Sequence, residues 1–148
     1  MKQYKDSISE FKLKKEKSNF QKVKITSSKQ AEQFIRQFYS DDIGIYESCF
    51  MLLLNSANNT IGFVKISQGG INAAICDPIL VAKYAIDSLA KGVILAHNHP
   101  SGNLRPSTAD ENICSKIKQG LKLFDIQLMD NLILTEDGYY SFADEGII

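Results

Sequence analysis

The sequence predicts an α/β protein: a mixed sheet with helices packed on it, in the α+β or three-layer α/β class. Three observations carry that expectation. Short apolar runs bounded by turn residues read as buried strands, foremost ESCFMLLLN at 47–55 and VILAH at 93–97. Between such runs lie longer segments with apolar residues at helical spacing behind capping residues. The chain's 148 residues suit one domain with a single core.

The folded unit is expected to begin near Val23-Lys24-Ile25, which divides the chain into an arm, 1–24, and a domain, 25–148. Ser27-x-x-Gln30 reads as a capping box. Behind it Ala31, Phe34, Ile35 and Phe38 follow helical spacing, and the helix is expected to end near Ser40-Asp41-Asp42. Glu47 to Asn55 is the first strand, Asn58-Asn59 a turn, and Ile61 to Ser67 the return strand. Gln68-Gly69-Gly70 breaks that strand, and Ile71 to Ile75 is read as a short third one. Asp77-Pro78 opens a second helix with proline at an early position. Ile79, Ala82, Ala85, Ile86 and Leu89 give it an apolar face, and Gly92 fits its C-terminal cap. Val93 to His97 is a strand, followed by a Pro/Gly/Ser loop over 100–107. Thr108-x-x-Glu111 is expected to cap a third helix that buries Ile113, Ile117 and Leu121. Ile126 to Leu134 and Tyr139 to Phe142 close the fold around the Glu136-Asp137-Gly138 turn. The order is αβββαβαββ.

Composition narrows the function classes. Hydrophobic residues at 44% and charged residues at 23% are those of an ordinary globular domain. No apolar run approaches the roughly 18 residues of a membrane span, and no apolar stretch follows the Lys-rich start as in a signal peptide. The expectation is a cytoplasmic protein with no membrane partner. Cys49, Cys76 and Cys114 are an odd number without C-x-x-C spacing, so they read as free, buried thiols. The zero net charge hides an asymmetry: residues 1–24 hold eight Lys against three acids, and the rest holds nine Lys plus Arg against fourteen acids. The arm is a candidate contact for DNA or an acidic partner. Its plainer reading is a solvated lead segment. The acidic body argues against a broad DNA-binding face.

The chemistry concentrates in one stretch, HNHPSGNLRPSTAD at 97–110. The chain's two histidines, His97 and His99, stand two apart at a strand end, where residues i and i+2 share a face. Asp110 follows at the start of a helix. Two neutral nitrogens and one carboxylate oxygen, with a fourth position left for water, are the ligand set of a catalytic zinc ion. Such a site also needs a base. Glu47, charged and placed at the start of a buried strand, is the best candidate. The plainer alternative for Glu47 is a solvated strand-end residue. Asn98 is expected to point to the face opposite the histidines, and Gly102 to permit a turn in the loop.

The pattern His97-x-His99-Pro100, then Ser107 and Asp110, with Glu47 upstream, resembles the JAMM motif of JAB/MPN metalloproteases. ESCFMLLLN, ISQGGI, VILAHNHPSG and DGYYSFADEG together resemble the RadC family of bacterial proteins over roughly residues 25–148. The resemblance implies the JAB/MPN fold, a cytidine-deaminase-like three-layer α-β-α architecture. It implies one zinc per chain on His97, His99 and Asp110, with Glu47 as general base. Ser107 would donate to the oxyanion, although it stands where it could equally cap the third helix. The activity implied is hydrolysis of a peptide or isopeptide bond by metal-activated water. Two departures are visible. Asp130-Asn131 stands where family members often have Asp-His. The Lys-rich arm stands where longer members carry a helical, DNA-binding-like region.

Two other readings stay open at this point: a non-peptidase binding module associated with DNA repair, which only the arm supports, and a metal-dependent nuclease. A zinc deaminase is excluded by the lack of H-x-E followed by P-C-x-x-C. Exposed sheet edges in a small domain admit a homodimer.

Overall fold

The computed structural model describes residues 6–69 and 76–148. Its elements are α1 (Ser28–Arg36), a 3-10 helix (Asp41–Gly44), β1 (Ser48–Leu54), β2 (Thr60–Gln68), α2 (Pro78–Asp87), β3 (Gly92–Asn98), α3 (Thr108–Lys122), β4 (Gln127–Leu134) and β5 (Tyr139–Ser141). The strand expected at 71–75 lies outside the described residues. The five strands form one mixed sheet in the order β2-β1-β3-β4-β5. β1 runs antiparallel to β2 and β3, β3 parallel to β4, and β4 antiparallel to β5.

Both faces of the sheet are covered, so its central strands read as unbroken apolar runs. Every residue of β1 and of β3 is buried. One face carries Cys49, Met51, Leu53, Val93, Leu95 and Ile133 against Val81 and Ala85 of α2 and Cys114, Ile117 and Leu121 of α3. The other carries Leu52, Leu54, Ile94, Ala96, Leu132 and Leu134 against Ala31 and Ile35 of α1. The result is the expected mixed sheet between helical layers. Leu95, on the central strand, is fully buried. Leu95→Ala is expected to cost about 2–5 kcal/mol of unfolding free energy, measured by urea denaturation.

Packing reaches back into the basic arm. Phe20 meets Phe34, Phe38 and Phe63 with ring centroids 6.5, 5.2 and 5.3 Å away. The main chain at Val23 exchanges bonds with Thr60, and Lys24 bridges Asn59. Ser27 caps α1 through the Gln30 amide. The Gln30 side chain returns the bond one residue earlier than a capping box would, accepting from the Thr26 amide. Arg36 pins the end of α1 to the β4–β5 turn, donating to the Thr135 and Gly138 carbonyls while paired with Glu32.

Four local expectations are corrected. On α2 the buried residues are Val81 and Ala85, whereas Ile79 is 77% and Leu89 81% exposed. The segment Ile79-Leu80-Val81-Ala82 is apolar around most of the helix, so spacing alone does not select a face. Asp77 caps that helix as expected, accepting from the Ile79 amide. Its C-terminus closes at Leu89, not Gly92: Leu89 takes φ 57°, and the Leu89 and Ala90 amides return to Ile86 and Ala85. Gly92 instead opens β3, where a Cβ would come within 2.7 Å of the Met129 sulfur. The cap of α3 is Ser107, one residue before the expected Thr108.

The fourth correction concerns the cysteines. Cys49 and Cys76 are joined in a disulfide, and only Cys114 is a free, buried thiol. Their spacing in sequence carries no pairing signal. The contact arises because Cys76, just before α2, lies on the sheet face to which β1 points Cys49. Among the described residues no helix is long and apolar enough to cross a membrane.

Candidate metal centre

The end of β3 sets the site. Alternation along the strand puts His97 on the same face as Val93 and Leu95, the face covered by α2 and α3. Pairing with Cys49 of β1 and Ile133 of β4 holds His97 in mid-sheet. His99 lies one step past the strand, yet its amide still donates to the Leu134 carbonyl, so the ladder carries it. The chain then turns over Pro100-Ser101, closed by the Gly102 amide donating to the His99 carbonyl, with Gly102 at φ 85° as only glycine readily adopts. That turn returns the loop so that the Asn103 carbonyl accepts from His99 Nδ1 at 2.7 Å. With a hydrogen on Nδ1, His99 is set to bind a metal through Nε2 once Nε2 has lost its proton.

Asp110 arrives on the first turn of α3. Ser107 and Asp110 form a reciprocal capping box: the Ser107 hydroxyl accepts from the Asp110 amide at 3.0 Å, and the Asp110 carboxylate accepts from the Ser107 amide at 2.8 Å. The cap therefore orients the carboxylate as well as starting the helix. Asp110 Oδ1 lies 3.2 Å from His97 Nε2, and Oδ2 lies 3.4 Å from His99 Nε2. The two Nε2 atoms are themselves 3.2 Å apart. Ligands about 2.0–2.1 Å from one ion at tetrahedral angles stand about 3.3 Å from each other. The spacing of these three side chains fits such an ion.

Electrostatics follow the geometry. Burial pushes the Asp110 carboxyl up, but the hydrogen bonds from His97 and His99, joined by that from the Ser107 amide, outweigh it and hold the group far below the usual carboxylate range. The Asp110 hydrogen bond raises His99 above its ordinary value against the opposing effect of burial. The site thus concentrates negative potential on two imidazoles, which favours a cation there.

Glu47 comes from a third segment, on the residue before β1. Its carboxylate and the two imidazoles bring one ligand atom each within 4.8 Å of one another. Two carboxylates therefore flank the histidine pair, one fixed by a helix cap and one carried at a strand entrance. Behind His97 and Asp110 lies a narrow cavity lined also by Cys76, Leu95, Ile113 and Asn131. Among the described residues Asn131 Oδ1 is the one buried side-chain polar atom without a partner. Asp130, beside it, faces away from this cluster. Its carboxylate accepts from the Ser141 hydroxyl at 2.6 Å and the Ala143 amide at 3.0 Å, a structural tie that closes the turn after β5.

The structure brings together Glu47, His97, His99, Asp110 and Ser107 from three separate elements. Sequence reasoning missed the Asn103 carbonyl and left the approach of Cys76 to the site open, since nothing in its spacing demands it. A carbonyl leaves no side-chain signal, and the position of Cys76 depends on how α2 enters the fold.

A mixed α/β sheet with a paired-histidine strand end and a capping aspartate defines the class of a JAB-type domain. The chain belongs to the RadC family: the RadC-like JAB domain matches residues 25–147. It is 44% identical over 124 residues to a UPF0758 protein of Flavobacterium johnsoniae, an alignment covering 84% of this chain and 53% of that protein. A UPF0758 protein of Porphyromonas gingivalis is 38% identical over 125 residues, covering 84% and 54%. One of Shewanella pealeana is 40% identical over 103 residues, covering 70% and 46%. The chain spans about half the length of these curated relatives.

Proposed function

We propose that this chain is a zinc-dependent metallohydrolase of the JAB/MPN type that cleaves a peptide or isopeptide bond. One observation supports this most: Asp110 reaches both imidazoles at 3.2 and 3.4 Å with its carboxylate already oriented by a helix cap. Metal sites gain affinity and selectivity when their ligands are held before binding. His97, His99 and Asp110 would hold the ion, and three protein ligands leave a position open for reaction. An ion held there would supply an acidified water, with a pKa of about 7, and polarisation of the scissile carbonyl.

The remaining work falls to side chains of this chain. Glu47, close to both imidazoles, takes the proton of the attacking water and returns it to the leaving amine. Ser107 caps with an oxygen lone pair, which leaves its O–H free to donate to the developing oxyanion. The attack is direct, without a covalent enzyme intermediate.

A peptide and isopeptide library incubated with the zinc-loaded chain tests the reading. Cleavage that stops on chelation and returns with zinc supports it. No cleavage of any member by a chain shown to hold zinc would contradict it. Ser107→Ala separates the two roles of the serine. Loss of the cap costs about 1 kcal/mol of stability, whereas loss of an oxyanion donor lowers turnover by about 10²–10³. Both effects are expected, read by thermal unfolding and by rate on the same preparation.

A further inference from the structure

Asn98, the residue between the two histidines, is fully buried and points away from them toward the α1 face of the sheet. Its side chain makes three hydrogen bonds, all to main chain around Glu47. Asn98 Oδ1 accepts from the Ser48 amide at 2.7 Å. Asn98 Nδ2 donates to the Tyr46 carbonyl at 2.7 Å and to the Ile43 carbonyl at 2.6 Å. The β1–β3 ladder ends at the Cys49–His97 pair, so the amide of Ser48 falls just beyond it. The carboxamide supplies the bond that the departing backbone no longer provides. Both residues flanking Glu47 are thereby tied to one side chain of the strand that carries the histidines. Two further bonds complete the frame: Tyr39 donates its hydroxyl to the Ser48 carbonyl at 2.8 Å, and the Gly69 amide donates to the Glu47 carbonyl at 2.8 Å.

We propose that Asn98 is a positioning residue that fixes Glu47 relative to the imidazole pair. This inference rests on the role given to Glu47 above. The two histidines face one way and bind. The residue between them faces the other way and sets where the base stands. A three-residue stretch of β3 thus specifies both halves of the site, and the distance between base and ligands is fixed by one side chain in place of a flexible segment. An asparagine suits the task because it offers one acceptor and two donors on a short, planar group. Aspartate at this position would keep the Ser48 bond and lose both donors to the carbonyls.

The test compares the full chain with Asn98→Ala, Asn98→Asp, Glu47→Gln and the Asn98→Ala/Glu47→Gln double variant, using cobalt(II) alone as the probe. Three quantities are read: cobalt affinity, the visible cobalt spectrum, and amide exchange of residues 43–48 in the metal-free protein. The Asn98 variants are expected to bind one cobalt per chain within about threefold of the wild-type affinity, because the ligands stay in place. Their spectra are expected to move to that of Glu47→Gln, with no further change in the double variant, since both substitutions act through one carboxylate. In Asn98→Ala the Ser48 amide is expected to exchange about tenfold faster, as for a lost hydrogen bond. Should that variant not fold, the isosteric Asn98→Asp carries the spectral comparison, and faster exchange is then read over residues 43–47.

Wild-type spectra and exchange in the Asn98 variants, beside an altered Glu47→Gln spectrum, would overturn the proposal. So would loss of cobalt binding in the Asn98 variants, which would place the residue's effect on the histidines. Faster exchange in the Asn98 variants with an unaltered Glu47→Gln spectrum would leave the clamp standing and remove Glu47 from its proposed role as base.

Discussion

Glu47→Gln is expected to lower hydrolytic turnover by about 10²–10⁴-fold while the metal stays bound. The substitution keeps the shape of the side chain and removes its capacity to accept a proton. The expected separation of rate from binding follows from where the residues sit. The proposed ligands lie on β3 and the first turn of α3, with Nε2 and carboxylate oxygens 3.2–3.4 Å apart. Glu47 is carried on a different segment, the residue before β1, with its carbonyl tied to Gly69 and its two flanking residues to Asn98. Removing its charge therefore leaves the cap, the turn over Pro100-Ser101 and the ladder unchanged. Steady-state rates on a cleaved library member, beside metal content of the same sample, measure the effect. A variant that holds zinc and retains full activity would remove Glu47 from the mechanism.

Zinc is expected to stabilise the wild-type chain strongly and the His97→Ala/His99→Ala variant not at all. A ligand that binds only the folded state at a thousandfold excess over its dissociation constant adds about 4 kcal/mol. Thermal unfolding with and without zinc reads this directly. The effect carries a defined pH dependence. The hydrogen bond from His99 to the Asp110 carboxylate raises His99 above its ordinary value despite burial, and a metal must displace that proton. As pH falls, zinc stabilisation is expected to begin its decline above about 6.5, the value of an unperturbed histidine. Without metal the sign reverses. The His99–Asp110 pairing contributes stability that is fully present below the unfolded histidine pKa and lost as pH rises through the raised one. The zinc-free and zinc-loaded curves should therefore diverge most on the alkaline side of neutrality.

The parts of the fold and site legible in sequence are those set by local rules. Alternation along VILAHNH told that His97 and His99 share a face and that Asn98 faces the other way. Caps at Ser27 and Asp77 marked helix starts because a short side-chain oxygen before an apolar periodicity has few other uses there. The positions that were not legible depend on distant pairing. Cys49 meets Cys76 across 27 residues of sequence, on the sheet face that α2 and α3 cover. Asn98 finds its partners in the 3-10 helix at Asp41–Gly44 and the segment after it, an element without apolar periodicity to announce it. The buried face of α2 escaped because too many of its residues are apolar. The start of α3 is open by one residue in sequence because Ser107 and Thr108 are both good caps with an acid three residues on. The distinction matters for function, since Ser107 is the cap that orients Asp110.

The central claim is that His97, His99 and Asp110 form a metal site. Elemental analysis of the purified chain beside His97→Ala/His99→Ala tests it most directly. The account predicts about one zinc per wild-type chain and none in the variant. No metal in the wild-type chain after zinc is supplied, or equal metal in both, would contradict it.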